Sequence, residues 1–345
     1  MKLSTVFIFC FLVSAGLCAE KPVIDWYART DYPPSFERPH FILMNNAGKN
    51  SSVLLLSDWT LLEVEAKRAE GYEKIIGWIT EPALSMDHLL DPMNHLQDPK
   101  LGPSSWIETH LDRFDLILTF NQYLLEKYPE KCKFINPMGF GTLYDQKIHP
   151  KSKLCSHMVS NQRWTEGHQL RWAVAETYPH YFEGYKDGHS TWVEWKDEWL
   201  NDFCFSVVVE NSRESHYFSE KLVECLRAGT VPIYWGCPTI AEFFDRDGII
   251  VFDKLEDLEP ILKGLSFEEY QKRLPAIRRN FELAGKYPQF WLTPCRHKGY
   301  VVIDYTKPWT YSIDRPDVVD GIWPYIQSYF DPTATGIYPT LWTCP

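Results

Sequence analysis

Runs of apolar residues that end in polar clusters recur along the chain, and the longest such unit spans residues 203–236. Phe203–Val209 is an almost wholly apolar run rich in β-branched residues, which is typical of a strand buried on both faces. Ser219–Arg227 has helical spacing of its apolar residues and stops just before Gly229, and Val231–Trp235 is a second apolar run. The pattern predicts a strand, a helix and a second, parallel strand.

The same alternation occurs on both sides of this unit. Further strands are predicted at His40–Met44, Val53–Leu56, Lys74–Thr80, Phe114–Phe120, Cys155–Val159 and Ile249–Phe252. Helices are predicted at Leu61–Arg68, Tyr123–Tyr128, Gln169–Glu176, Leu255–Leu262 and Phe267–Ala284. Apart from its one strand, the aromatic and proline-rich stretch 20–47 is predicted to be irregular. Strands that alternate with helices indicate an α/β fold with parallel sheets.

The size of the chain predicts two domains. It has 345 residues, of which 45% are hydrophobic, so it can bury a large core. A polar, lysine-containing stretch near 147–151 marks the boundary. We therefore expect a Rossmann-like domain at 20–150, a second one at 151–299, and an aromatic and proline-rich tail at 300–345 to which the sequence assigns no role.

The first 19 residues have the pattern of a secretory signal peptide. Lys2 precedes an apolar run that ends in small residues before Glu20, and the run is shorter than the ~20 residues that span a bilayer. An uncleaved signal anchor is the alternative, and only then would a membrane be a partner. The expected location is the lumen of the secretory pathway (Golgi-like) or an extracytoplasmic space, where Asn50-Ser51-Ser52 would be a glycosylation sequon.

Charge and cysteine content exclude two classes of site. The formal net charge of −11 argues against a nucleic-acid partner, because such proteins neutralise phosphates with many basic side chains. The cysteines beyond the leader contain no CxxC pair, so no zinc site is expected. In an oxidising compartment some of them should pair, whereas Cys204 and Cys225 are expected to be small, buried thiols.

Polar residues gather where predicted strands end, and these clusters are the candidates for chemistry. Ligands of open α/β sheets bind beyond the carboxyl ends of the strands, where helix N-termini point free N–H groups outward. Glu81 follows the predicted strand 74–80, which Pro82 stops. A larger group lies between the strand at 203–209 and the helix that follows it: Glu210, Asn211, Tyr217, Glu220 and Lys221.

The sequence ENSRESHYFSEK, followed by AGTVPIYWG, resembles the signature of the α-1,3/α-1,4-fucosyltransferases, glycosyltransferase family 10. In that family a strand ends in Glu-Asn-Ser and a Tyr-x-(Ser/Thr)-Glu-Lys segment opens a helix. The likeness covers about residues 155–262 well and 70–145 weakly. It implies a GT-B fold, with two facing Rossmann-like domains and a deep cleft between them, the acceptor side first and the nucleotide-sugar side second.

The resemblance also implies inverting transfer of fucose from GDP-fucose to a hydroxyl of a glycan acceptor, with no tightly bound cofactor. Glu81 matches the candidate general base. The matching donor-binding positions are Arg171, Glu210, Asn211, Tyr217, Glu220 and Lys221. Arg171, expected on the opposite side of the cleft from Lys221, would join it in stabilising the leaving diphosphate. No motif requires a divalent metal, and Asp245-Arg246-Asp247, with DxD spacing on an apparent loop, is assigned none.

The sequence departs from the family pattern in three places. His216 stands where an Asp commonly precedes the Tyr, Asp202 replaces a usual Lys, and no paired cysteines close the C-terminus. Two alternatives therefore stay open: a GT-B transferase that uses another nucleotide sugar, and a non-catalytic nucleotide- or sugar-binding protein of the same fold. Glu220-Lys221 also fits an ordinary first helical turn, where a Glu is favoured by the helix dipole.

Overall fold

The computed structural model describes residues 21–27, 35–37, 41–45, 48–82, 102–137, 140–141, 143, 145–160, 162–183, 196–287, 290–291, 295–297, 300–302 and 323–330. The predicted signal peptide, residues 1–19, and most of the 300–345 tail lie outside these ranges. Within them, no helix combines the length and the apolar character that a membrane crossing needs.

The first half of the chain forms a sheet whose described strands follow the order β2-β3-β1-β4-β5-β6-β7. The strands are β1 (Val23–Tyr27), β2 (Ser35–Glu37), β3 (Ile42–Asn45), β4 (Val53–Ser57), β5 (Lys74–Trp78), β6 (Leu116–Thr119) and β7 (Cys132–Phe134). β2 runs antiparallel to β3, and the other neighbouring strands are parallel. The helices of this half are α1 (Val64–Ala69), α2 (Gly102–His110) and α3 (Gln122–Lys127). Glu81 lies in the loop that follows β5, at the carboxyl edge of this sheet.

The prediction that 20–47 is irregular apart from one strand was wrong, because β1 lies inside the sheet between β3 and β4. Asp25 lies in the middle of β1. In the structure it is buried and accepts hydrogen bonds from the backbone N–H groups of Asn50 (2.7 Å) and Ser51 (2.9 Å) and from the hydroxyl of Tyr72 (3.0 Å). These long-range partners satisfy the carboxylate, so it is compatible with a buried strand.

The second half forms a parallel sheet in the order β12-β11-β10-β9. Its strands are β9 (Lys153–His157), β10 (Phe203–Val209), β11 (Val231–Trp235) and β12 (Ile250–Val251). Its helices are α4 (Glu166–Thr177), α5 (Asp197–Leu200), α6 (Glu220–Arg227), α7 (Leu258–Lys263), α8 (Phe267–Lys272) and α9 (Leu274–Ala284). The two strands of the central unit have the predicted bounds. The single helix predicted at 267–284 is two helices, since Pro275 lies in the first turn of α9 and favours a new start there.

Two sheets that are parallel except for β2, each with helices in its connections, confirm the predicted α/β fold. Apolar contacts join them: the ring of Phe134, at the end of β7, lies 5.9 Å from that of Phe243 in the second half. A short pair of strands, β8 (Phe140–Gly141) and β13 (Phe290–Trp291), adds a second connection. The C-terminal helix α10 (Trp323–Ile326) returns to the first sheet, where Ile326 is buried in its core.

Five cysteines in the described residues are free and buried: Cys132, Cys155, Cys204, Cys225 and Cys237. Cys204 and Cys225 are thus the buried thiols that the sequence predicts. The expectation that some cysteines pair is not met by these five. Burial also raises the pKa of the Cys155 and Cys225 thiols, which keeps them protonated.

Candidate active site

Glu210 ends β10 and ties that strand to the start of α6. Its backbone N–H still pairs with Trp235 (2.9 Å), while its buried carboxylate accepts hydrogen bonds from the backbone N–H (2.9 Å) and the hydroxyl (2.6 Å) of Ser219. Ser219 is the N-cap of α6. Burial raises the pKa of Glu210 and neighbouring Glu220 adds to the effect, whereas Lys221 and the two Ser219 donors oppose it. The contact fixes the N-terminus of α6 at the carboxyl edge of the sheet.

The first turn of α6 carries a compact ion pair. The ammonium of Lys221 lies 3.1 Å from Glu220 Oε1, 3.1 Å from the Ser219 hydroxyl and 3.9 Å from Glu210 Oε2. Burial alone would raise the pKa of Glu220, but the cations Lys221 and Lys196 outweigh it and lower that pKa to about 2. Glu220 is therefore an anion at any physiological pH. The side chain of Lys221 remains 26% exposed, which leaves its ammonium accessible to a ligand.

Two charged residues that sequence reasoning missed extend this pair. Lys196 lies 3.8 Å from Glu220 Oε1 and forms an ion pair with the buried Glu224. Glu224 also accepts a 2.6 Å hydrogen bond from the backbone N–H of Leu143, in the segment that connects the two sheets. Lys221, Glu220, Lys196 and Glu224 thus form a chain of alternating charges. The i,i+4 spacing of Glu220 and Glu224 on α6 is the sequence signal from which a shared cation could have been predicted.

Arg171 and Asn211 form a hydrogen bond at the end of β10, near the start of α6. The buried guanidinium donates from Nε to the Val209 carbonyl (2.9 Å) and from Nη2 to Asn211 Oδ1. The expectation that Arg171 lies across the cleft from Lys221 was wrong, because α4 follows β9 and brings Arg171 to the same sheet edge. Burial lowers the pKa of Arg171, and Glu210 is the largest of the charges that oppose this. Arg171 therefore braces the end of β10.

Close packing of α4 on that strand end depends on Gly167. Its N–H donates to the Asn211 carbonyl (3.1 Å), and a Cβ at this position would lie 1.7 Å from the Glu210 backbone oxygen. Such a distance is impossible for a side-chain carbon. Glycine at 167 is thus what allows α4 to place Arg171 within reach of Asn211.

Tyr217 turns toward the first sheet. It follows His216, which adopts a left-handed backbone (φ 63°) and whose N–H donates to the Thr239 hydroxyl (3.1 Å). Asp and His are both among the residues enriched in this conformation, so the turn is compatible with either residue at position 216. The ring of Tyr217 lies 5.2 Å from that of Phe120, which follows β6. The chain reversal therefore carries Tyr217 to the boundary between the two units.

Glu81 reaches the same boundary from the first sheet. It follows β5, is partly buried, and its backbone N–H lies 3.2 Å from Asp58 Oδ1. Burial raises the pKa of Tyr217 well above its usual value, and the charges of Glu210 and Glu81 add to the effect. β5 and β6 are parallel neighbours, so Glu81 lies at the same sheet edge as Phe120, whose ring is adjacent to that of Tyr217. The structure brings the single candidate from the first half up to the cluster from the second.

The DxD-like segment is engaged in local structure. Asp245 accepts a hydrogen bond from the Asp247 backbone N–H (2.9 Å) and pairs with Arg279 at 2.5 Å. Among the described residues, no group of three or more His, Cys, Asp or Glu side chains is arranged to hold a metal ion.

Comparison with known proteins adds a partial likeness. No protein-family model matches this chain. It is 37% identical over 73 residues to a fucosyltransferase-like protein of Arabidopsis thaliana, and 36% identical over 58 residues to an α-(1,3)-fucosyltransferase of Helicobacter pylori. These alignments cover 21% and 17% of this chain, but only 14% and 12% of the two relatives. The resemblance to fucosyltransferases is thus shown for part of the chain.

A solved structure of an α1,3-fucosyltransferase with GDP-fucose is also similar. It is 14% identical to this chain with a TM-score of 0.49, and the match covers 93% of this chain and 94% of that one.

Proposed function

We propose that this chain is an inverting glycosyltransferase that moves fucose from GDP-fucose to a hydroxyl of a glycan acceptor. The proposal rests mainly on one observation: the carboxyl edges of the two sheets meet, and they carry different chemical groups. Glu81 follows β5 at the same sheet edge as Phe120, whose ring lies 5.2 Å from that of Tyr217, and Lys221 lies at the N-terminus of the helix that follows Tyr217. The choice of fucose and GDP rests on the ENSRESHYFSEK sequence and on the fucosyltransferase likeness.

In this proposal the second unit binds the donor. When the bond from fucose to GDP breaks, negative charge develops on the leaving diphosphate, and the Lys221 ammonium and the free N–H groups of α6 stabilise it. Arg171 adds a positive charge and holds Asn211, which with Glu220 faces the donor hydroxyls. Glu210 contributes by fixing Ser219 and thereby the helix terminus, and Tyr217 closes the site toward the first unit.

The first unit supplies the base. Inversion requires the acceptor oxygen to attack the anomeric carbon from the face opposite GDP, and its proton must go to a nearby acceptor. Glu81 takes that proton as the new glycosidic bond forms and the bond to GDP breaks. One carboxylate on the acceptor side is sufficient for this single displacement.

A donor panel tests the proposal. The purified chain is incubated with GDP-fucose, GDP-mannose and UDP-sugars over a set of glycan acceptors, and products are identified by mass spectrometry and by NMR of the anomeric configuration. We expect transfer from GDP-fucose with inversion. Preference for a UDP-sugar, with no product from GDP-fucose, rejects the donor assignment, whereas GDP binding without turnover of any donor points to the non-catalytic alternative.

Location and metal independence are parts of the same proposal. We propose that residues 1–19 are cleaved and that the enzyme acts in the secretory-pathway lumen or outside the cytoplasm, with Asn50, which lies in an exposed segment, as a glycosylation site. N-terminal sequencing and glycosidase treatment of the secreted protein test both. Because Asp245 is paired with Arg279, we expect that EDTA leaves transfer unchanged.

A further inference from the structure

Asp58, directly after β4, has a backbone conformation that few side chains adopt. Its φ is 50°, in the left-handed region, and His216 is the other non-glycine residue with positive φ in the described part of the chain. This conformation is sterically unfavourable for an L-residue, though less so for Asp than for most, so it persists where surrounding contacts hold it.

The contacts that hold Asp58 run to the segment that carries Glu81. Asp58 Oδ1 accepts hydrogen bonds from the backbone N–H groups of Thr80 (2.8 Å) and Glu81 (3.2 Å), and Oδ2 accepts one from the Thr80 hydroxyl (2.5 Å). Three donors from two consecutive residues thus meet one carboxylate. The left-handed backbone is what turns that carboxylate from the end of β4 toward the end of β5.

Hydrogen bonds of the neighbouring residues fix the position of Asp58. The preceding residue, Ser57, is buried; its N–H donates to the Thr60 hydroxyl (2.9 Å), which in turn donates to the carbonyl of Tyr27 (2.7 Å). The indole of Trp26 donates to the Ser57 hydroxyl (3.2 Å). The ends of β1 and β4 are therefore locked together, and Asp58 projects from a rigid base.

We infer that Asp58 is a positioning residue, which fixes the Thr80–Glu81 backbone so that the Glu81 carboxylate faces the Tyr217 side of the site. The inference deepens the proposed function and rests on it where it concerns turnover. A general base must lie within hydrogen-bond reach of the proton it removes, and a displacement of about 1 Å costs on the order of 10²-fold in rate. Neither Asp58 nor Thr80 needs to touch a substrate for this role.

Two substitutions at one position separate this role from a general effect on folding. In Asp58→Gly the left-handed backbone is relaxed but all three hydrogen bonds are lost, so the fold is retained while Glu81 loses its support. In Asp58→Asn the left-handed backbone is tolerated, Oδ1 still accepts from both N–H groups, and the amide can donate to the Thr80 hydroxyl. Asp112→Gly, at an exposed Asp of the same unit, is the matched control.

The readouts are kcat, the Kd for GDP, and amide hydrogen exchange at Thr80 and Glu81. For Asp58→Gly we expect a loss of kcat of about 10- to 100-fold, unchanged GDP affinity and faster exchange at both amides. Asp58→Asn should restore kcat to within a few-fold, and Asp112→Gly should match the wild type.

Unchanged exchange at both amides in Asp58→Gly would overturn the inference, as would an Asp58→Asn enzyme as impaired as the glycine variant. Failure of the proposed function is distinct from either result. If the proposed function is wrong, the wild type is inactive with every donor. Faster exchange in Asp58→Gly would then still show that Asp58 holds the Thr80–Glu81 segment.

Discussion

The two edges that meet at the candidate site are prepared in different ways. On the second sheet, partly buried charges surround the start of α6: Glu220 Oε1 lies 3.1 Å from the Lys221 ammonium and 3.8 Å from the Lys196 ammonium. On the first sheet, the segment before Pro82 is held by neutral backbone donors on the single carboxylate of Asp58. One edge provides an electrostatic field, and the other provides a fixed position.

This difference matches what each half of a transfer reaction requires. Charge that develops on a leaving diphosphate is stabilised by fixed cations, whose contribution is large when water is excluded. A proton acceptor has to be near the reacting hydroxyl, and its exact surroundings can be less charged. We therefore expect substitutions on the two edges to differ in which kinetic parameter they change.

The largest expected effect is on the first edge. Glu81→Gln removes the proposed base and keeps the shape of the side chain, so kcat should fall about 10²- to 10⁴-fold. GDP affinity should be unchanged, because the donor cluster is intact. Glu73→Gln, at the exposed opposite end of β5, is the control. Steady-state kinetics and GDP titration check this, and full activity of Glu81→Gln would remove Glu81 from the mechanism without touching the family resemblance.

The second edge should respond differently, with a loss of GDP affinity as well as of kcat. Lys221→Met removes the accessible cation at the start of α6, so both GDP affinity and kcat should fall, with a loss of kcat/KM of about 10²- to 10³-fold. The control is Lys263→Met, whose ammonium forms an exposed i,i+4 pair with Glu259. If Lys221→Met binds GDP as tightly as the control does, the ammonium of Lys221 does not hold the diphosphate.

The sequence predicted the second edge better than the first for a physical reason. β10 is buried along its whole length, Ser219 caps the next helix, and Gly229, with φ of 67°, ends it. All of these signals are local and lie within one contiguous stretch. The bounds of β10 and β11 therefore follow from the pattern of residues alone.

The first edge depends on contacts between distant residues, which a local pattern does not contain. Asp58 binds Thr80 and Glu81, which are 22 and 23 positions further along the chain. The partners of Asp25 that stabilise β1 lie 25 or more positions away. Lys196 and Glu224 were missed for the same reason, since they pair across 28 positions. Glu81 was identified because a proline ends its strand, but the hydrogen bonds from its segment to Asp58 were not predicted.

The charges of the second edge should also make the free energy of unfolding depend on pH in the acid range. The pKa of Glu220 is lowered to about 2, from 4.5 in the unfolded chain, so its contribution is present above pH 4.5 and is lost as pH falls toward 2. The shift corresponds to on the order of 3 kcal/mol. Glu210 and Glu224, whose pKa values are raised, act with the opposite sign.

Comparison of the wild type with Glu220→Gln isolates this contribution. Urea unfolding at several pH values should show the stability difference between the two proteins shrinking as pH falls from 4.5 to 2. A difference that stays constant over this interval would show that Glu220 is not held as an anion by Lys221 and Lys196.

The smallest expected effect tests whether the second edge also depends on fixed backbone geometry, which would narrow the contrast between the two edges. Gly167→Ala would place a Cβ 1.7 Å from the Glu210 oxygen, so α4 must shift away from β10. We expect a loss of stability of about 1–3 kcal/mol and weaker GDP binding, because Arg171 moves with the helix. In the control, Gly264→Ala, the nearest atoms to the new Cβ are 3.5 Å away, so stability should be unchanged or slightly higher. If Gly167→Ala lost stability but bound GDP normally, the placement of Arg171 by α4 would not matter for the donor, and the charges of α6 alone would define this edge.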